Sequence, residues 1–354
     1  MHYIMNHDTP TISIENCKII NKTLAPKSLV VNNLNSNDIS NWLQSRALSM
    51  NRENAEKIYM YMGLNRDNFM DILYITHGLS INDNYWIADE SEIGRIHYES
   101  LSLFHNSLNK ALYQVALLGV NDKFSIQNDL RSAEFTGQGS YPKCFIRRED
   151  GIYLCKHQSD SEIRYEIIAA YIGKIMGFNT AEYHFEKVYG LNCSVSKILS
   201  DSLNNWETAF DIAKHMQDMY GNIPQEFAIR MFGRNYTDMV IFDAVVLNDD
   251  RHMKNWAFDI NGKSGEIAGI APSYDYNKAF QANSSSMSQL IFNGYKRMNL
   301  LTAARFTMDN YGTNLNLLNL VQNIDRIPDI INKEALLNRI YYITRRIDSQ
   351  KYCY

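Results

Sequence analysis

Leu247-Asn248-Asp249-Asp250-Arg251-His252-Met253-Lys254-Asn255-Trp256 is the stretch on which the reading of this chain turns. It follows an apolar run, Met239 to Leu247, broken only by Asp243, which has the character of a buried helix. Asp250 and Asn255 then stand five positions apart, so one loop carries a carboxylate and a carboxamide. The first can accept a hydroxyl proton, and the oxygen of the second suits a hard cation. Twenty residues after Asn255, the segment Ala271-Pro272-Ser273-Tyr274-Asp275 offers a second carboxylate. Magnesium keeps several waters and needs few protein oxygens, so Asn255 and Asp275 are enough to hold it beside phosphates.

The bare D-x-x-x-x-N spacing is common, and its alternative is a polar turn after a buried helix, with Asp275 capping the next element. The fuller D-R-H-x-x-N is much rarer. Its spacing is that of a kinase catalytic loop, in which the Asp takes the substrate hydroxyl proton and the Asn binds magnesium. His252 is expected to hold the loop by hydrogen bonds and not to move protons.

Upstream of the loop the pattern is strand-rich. Lys143 to Arg147 and Ile152 to Lys156 read as two strands joined by Glu149-Asp150-Gly151, whose Asp-Gly pair supplies the positive backbone angles of a hairpin. Ile152, Leu154 and Lys156 share one face, so the lysine can reach phosphates while its aliphatic neighbours roof an adenine ring. Ser159-x-x-Glu162 is a capping box opening a helix that stops at Gly177. Glu166, early in that helix, can pair with Lys156, and Glu162, one turn away, can compete for it. Tyr183 to Val188 and Cys193 to Ile198 read as further strands. From Trp206 onward helices dominate, apart from a strand pair flanking Asn261-Gly262.

The amino-terminal part, from Asn37 to Gly119, reads as helical, and Trp42, Trp86, Trp206 and the Met60/Met62 pair read as core. The resulting fold class is α+β, a bilobal arrangement with a small strand-rich lobe and a larger helical lobe. Its expected divisions are a helical amino-terminal region of unknown role (1–125), a nucleotide-binding lobe (126–200) and a helical catalytic lobe (201–354).

These motifs, in this order, resemble the HipA-like serine/threonine kinase family. D-R-H-x-x-N followed by the Tyr274-Asp275 pair is similar to its catalytic and metal segments. Thr136-Gly137-Gln138-Gly139-Ser140-Tyr141-Pro142-Lys143 resembles its phosphate loop, Ile152 to Lys156 its lysine strand, and Tyr165-Glu166 its Asn-Glu helix start. The resemblance implies ATP and Mg2+ as cofactors, Asp250 as the catalytic residue, and Asn255 and Asp275 as metal ligands. It makes Gly137, Gln138, Gly139, Ser140, Lys143, Lys156, Glu166, Ser196, Lys197, Ile198, His252, Lys254 and Tyr274 the nucleotide-site residues. Ser196 to Ile198 would offer backbone groups to adenine, with Lys197 where the family often carries an acidic residue. Thr136 falls where a serine of the family is autophosphorylated. The similarity covers roughly 130–290, and the first 125 or so residues do not match the family's amino-terminal subdomain. A protein substrate and an antitoxin or other regulatory protein are the partners it implies.

Composition narrows the alternatives. The 354 residues are 45% hydrophobic, enough for two or three cores, with a net charge of -4 from 35 basic and 39 acidic residues. No global attraction to nucleic acid or anionic lipid follows, and no direct nucleic-acid binding is expected. Five scattered cysteines without a C-x-x-C, no secretory signal and no spanning apolar run fit a soluble cytoplasmic protein. Two rivals stay open. A lipid kinase also resembles D-R-H-x-x-N followed by an Asp, although no basic or amphipathic membrane-binding stretch is present. A catalytically silent kinase-fold module of a toxin-antitoxin system is the other.

Overall fold

The computed structural model describes residues 1–64, 69–120, 133–136, 139–283, 285–290 and 298–344, with the backbone alone at 69, 71, 135 and 136. Its first part contains β1 (His2–Asn6), β2 (Thr9–Ser13), β3 (Lys18–Ile19), α1 (Ser36–Ser45), α2 (Ala55–Tyr61), α3 (Phe69–Thr76), β4 (Tyr85–Asp89), α4 (Tyr98–Leu101) and α5 (Lys110–Leu118). This region is therefore not purely helical. Its four strands form an antiparallel sheet of order β3-β2-β1-β4, in which Asn6 faces Tyr85 across the ladder. Strands of two to five residues leave too short a periodic trace to be read, and β4 pairs with β1 from about eighty residues away, which is why the helical expectation failed here. Of the expected core residues, Trp86 and Trp42 are buried, but Met60 is 75% exposed because α2 turns Ile58 and Tyr59 inward.

A second antiparallel sheet, of order β5-β6-β8-β7, follows. It comprises β5 (Lys143–Arg148), β6 (Gly151–His157), β7 (Tyr183–Val188) and β8 (Leu191–Lys197), with α6 (Asp160–Met176) inserted after β6. The hairpin turn differs in detail from the expected one: Gly151 alone takes a positive φ, at 149°, and the Lys197 side chain occupies the space a Cβ would need there. The capping box at Ser159 and Glu162 is formed, and Gly177 ends α6 in the left-handed conformation at φ 71°.

The helical lobe contains β9 (Asn204–Thr208), α7 (Ala213–Tyr220), α8 (Pro224–Phe232), α9 (Arg234–Val245), β10 (Ala257–Asn261), β11 (Ile267–Ile270), α10 (Leu300–Tyr311), α11 (Leu317–Gln322) and α12 (Lys333–Thr344). Trp206 lies in β9, the edge of a three-stranded sheet of order β11-β10-β9, not in a helix. Helix α9 is buried from Tyr236 through Val245, so the loop that follows it is hung from the centre of the lobe. Among the described residues no helix is long and apolar enough to cross a membrane.

One apolar core joins the first part to the strand-rich sheet: Leu48, Ile58, Trp86, Leu112 and Val115 pack with Cys144, Phe145, Cys155 and Val195. The outer edge of β5 is sealed polarly. Glu134 Oε1 accepts the Phe145 N–H at 2.7 Å, and the Arg52 guanidinium donates to the Lys143 carbonyl and, at 2.6 Å, to Glu134 Oε2. Arg52 and Glu134 side chains are both wholly buried. Burial raises the Glu134 carboxyl, and the Arg52 charge opposes that rise. Arg52→Met strands a buried carboxylate and should cost about 3–5 kcal/mol near pH 7. Without Arg52 the folded-state pKa of Glu134 lies well above its unfolded value, so the penalty grows with pH and shrinks toward pH 4. Urea unfolding at several pH values checks this, and a penalty independent of pH would count against a charged Glu134.

Candidate active site

Lys156, on β6, is the junction of the two lobes. Its Nζ donates to Glu166 Oε1 of α6 at 2.9 Å and to Asp275 Oδ1 at 2.8 Å. Burial lowers the lysine's pKa, but the Asp275 and Glu166 charges outweigh it and hold the amine above its ordinary value. The Asp275 carboxyl, which burial would raise, is kept below its ordinary value by Lys156. Glu166 is fully buried, and its second oxygen accepts from Gln158 at 3.2 Å. Glu162 does not compete for Lys156: its Oε1 accepts from Lys278 Nζ at 2.6 Å and from the Tyr141 hydroxyl at 2.6 Å. Asp275 itself adopts φ 60°, a left-handed conformation that Asp tolerates better than most residues. Its N–H donates to the hydroxyl of Tyr183, the first residue of β7, at 3.1 Å.

The catalytic-type loop is organised by Arg251, which is 1% exposed. Its Nε lies 3.1 Å from Asp243 Oδ2 in α9, and one terminal nitrogen donates to the carbonyls of Asn255 and Tyr274, each at 2.6 Å. Asn248 Nδ2 also donates to Asp243, at 3.0 Å. One side chain thus fixes the loop and the segment before Asp275 relative to each other. Asn255 Nδ2 donates to the Asp250 carbonyl at 2.8 Å, which leaves its Oδ1 without a partner among the described residues. Asp275 likewise uses only Oδ1 toward Lys156. Among the described residues no three His, Cys, Asp or Glu side chains are grouped as an all-protein metal cage. The donor set fits a magnesium ion held by one carboxylate, one carboxamide, phosphate oxygens and water.

Asp250 is half-buried. Burial raises its carboxyl above the ordinary value, His252 opposes this, and the Asp275 and Asp249 carboxylates add to it. His252 is exposed, and its Nδ1 accepts the Lys254 N–H at 3.2 Å, a loop-holding bond as expected. Lys254 points elsewhere: its Nζ lies 4.6 Å from the centroid of the Phe210 ring. Tyr274 stacks on Trp206 at 6.1 Å, and its hydroxyl donates to the Lys254 carbonyl at 3.3 Å.

On the phosphate-loop side, Gly137 and Gln138 lie outside the described residues, as does the side chain of Thr136, whose backbone ends a short 3-10 turn from Ala133. Gly139 has φ 94°, and a Cβ there would come within 2.8 Å of Lys143 Nζ, so the amine lies directly against the loop. Ser140 is exposed, and its carbonyl accepts the Glu53 N–H at 2.9 Å. Lys143 is buried, with no carboxylate bonded to it among the described residues, and its pKa falls to about 7 through burial first and then the nearby Arg52 and Lys156 charges.

At the far end of the sheet Ser196 pairs with Leu154, on the Lys156 face. The Ile198 N–H donates to the Ile152 carbonyl at 2.9 Å and is committed within the sheet. By strand alternation the Lys197 N–H points the other way, beyond Tyr183 where β7 begins. The Lys197 side chain lies on the opposite face of the sheet, near Asp150 at 3.4 Å, and so away from Lys156.

Several site residues carried little sequence signal. Asp243 had one, a lone carboxylate interrupting an apolar helix, which normally needs a buried partner. Tyr141, Tyr183 and Lys278 had none, because their roles come from contacts between segments more than twenty residues apart.

No protein-family model matches the chain, and no curated protein sequence matches it. Among solved structures, HipA of Shewanella oneidensis MR-1, in a complex with HipB and its operator DNA, matches with a TM-score of 0.58 at 12% identity, over 98% of this chain and 96% of that one. The Helicobacter pylori proinflammatory kinase CtkA covers 57% of this chain and 90% of its own, with a TM-score of 0.42 and 16% identity. The chain has a HipA-like kinase fold. The HipA match takes in the amino-terminal part as well, so the likeness extends well beyond the 130–290 stretch that the motifs covered.

The depressed Lys143 amine predicts a pH signature. Below pH 7 it is charged in both folded and unfolded states, so its burial cost is complete. Between about 7 and about 10.4 the unfolded chain binds more protons, and stability rises with pH. Lys143→Met should therefore stabilise the protein more at pH 6 than at pH 9, by on the order of 2 kcal/mol. Denaturant titrations at the two pH values measure it, and an equal effect at both would show the amine to stay charged in the folded protein, with no depressed pKa.

Proposed function

We propose that the chain is an ATP- and magnesium-dependent phosphotransferase that moves a γ-phosphate to a serine or threonine hydroxyl of a protein, its own chain included. The observation that carries this reading is the Lys156 ammonium held at once by Glu166 of the strand-rich lobe and Asp275 of the helical lobe. Such a bridge aligns a phosphate-binding lysine with a metal-binding carboxylate.

Adenine would lie under Leu154 and Ser196, with the Lys197 N–H at its edge, and the phosphates would run toward Lys156, Lys143 and the loop at Gly139 and Ser140. Bound to Asn255 and Asp275, magnesium would neutralise phosphate charge. Asp250 would orient the acceptor hydroxyl and take its proton, a task suited to a carboxyl raised by burial. The oxygen of that hydroxyl forms a bond to the γ-phosphorus, and the bond from that phosphorus to the β,γ-bridging oxygen breaks with its electron pair leaving on ADP. Arg251 would keep Asp250, Asn255 and Asp275 in register without touching substrate. The HipA structure contains HipB, and an antitoxin-like regulatory protein is the partner this analogy favours.

Incubation with γ-labelled ATP and magnesium, followed by mass spectrometry, should place phosphate on a protein hydroxyl, with Thr136 the first position to inspect. Asp250→Asn should lower transfer by about 10²–10⁴-fold while nucleotide binding stays near normal. Labelling of the variant at the wild-type rate would refute the assignment of the base. Absence of ATP binding by the wild type would favour a silent module.

A further inference from the structure

The charge arrangement around the site leaves one requirement open. Lys156 is already flanked by two carboxylates, and Lys254, within the catalytic-type loop, is drawn to Phe210. Lys143 lies beneath Gly139, at the base of the loop. A transferring phosphoryl group spreads negative charge over its outer oxygens and is stabilised by cations placed beside the acceptor. The described structure offers one such cation. Lys278 lines a depression of about 320 Å³ together with Asp249, Asp250, Gln281 and Ala282.

We propose that Lys278 is a further catalytic residue, the cation that meets the γ-phosphate as it passes to the hydroxyl held by Asp250. The assignment rests on the kinase reading above. Its placement has two independent supports. Lys278 shares the depression with Asp250, and its Nζ lies over the same Tyr141 ring as that of Lys156, at 5.9 and 5.8 Å from the centroid. Tyr141 closes the glycine loop, so the two ammonium groups flank the end of the phosphate path. Lys278 Nζ lies 2.6 Å from Glu162 Oε1 and donates to the Tyr141 hydroxyl at 3.2 Å. The Glu162 bond raises the amine's pKa, so it arrives charged. During transfer Lys278 keeps its proton and neutralises the non-bridging oxygens; the hydroxyl proton goes to Asp250.

A purely structural role predicts something different. Lys278 would then be a strap from the segment after Asp275 to the start of α6, and removing either end would have the same effect. Glu162→Gln separates the two cases, because Gln preserves the capping box with Ser159 while removing the charge that holds Lys278.

The test is calorimetry of Mg-ATP and Mg-ADP on the full chain in three forms: wild type, Lys278→Met and Glu162→Gln. Lys278→Met should weaken ATP binding by about 10-fold or more and change ADP binding less than about twofold, since only ATP carries the contacted phosphate. Glu162→Gln should bind ATP as tightly as wild type or more tightly. Equal losses for both nucleotides, no loss for either, or a Glu162→Gln profile matching that of Lys278→Met would overturn the assignment while leaving the kinase reading intact. Failure of the wild type to bind either nucleotide would overturn both together.

Discussion

A guanidinium taken out of water has to place its N–H donors on protein acceptors, and Arg251 does so in a way that assembles the site. Its fork meets Asp243 on a buried helix, and its remaining reach is to two backbone carbonyls, one at the end of the catalytic-type loop and one beside Asp275. The Arg251 plane also lies over the Tyr276 ring at 4.6 Å. Loss of either charge would leave the other buried and unpaired, a penalty of about 3–5 kcal/mol, so this geometry has no cheap alternative. Asp250, Asn255 and Asp275 inherit their relative positions from it.

Lys156 provides the complementary constraint between lobes. A single ammonium shared by Glu166 and Asp275 couples the tilt of α6 to the conformation of the segment around Asp275. Because Asp275 occupies a left-handed backbone conformation, the pull of Lys156 and the Tyr183 hydroxyl on it is part of what holds that segment in place.

The amino-terminal part belongs to this machinery structurally. It shares an apolar core with the strand-rich sheet, and its Arg52 and Glu53 bind groups on both sides of the glycine loop, Arg52 the Glu134 carboxylate and the Lys143 carbonyl, and Glu53 the Ser140 carbonyl. On the other side Glu207 of β9 accepts the N–H groups of Lys27 and Ser28 at 2.6 and 2.8 Å. Anything that displaced this part would loosen the loop's supports. The HipA match across nearly the whole chain agrees with a single integrated body.

Local chemistry made much of the secondary structure around the candidate site legible in the sequence. The capping box at Ser159, the Gly177 stop, the lysine strand and the D-R-H-x-x-N loop each depend on residues within a few positions of one another, and each is present where local rules put it. The amino-terminal sheet could not be read this way, because its strands are two to five residues long, too short to show a period, and β4 finds its partner β1 about eighty residues earlier. Nor could the choice of Lys278 by Glu162, or the outward turn of Lys197, be read from spacing. Sequence determined which chemical groups this protein owns and the short elements that carry them. Tertiary structure alone decided which groups face one another, because a buried charge takes whichever partner packing brings within about 3 Å, and packing is a property of the whole chain.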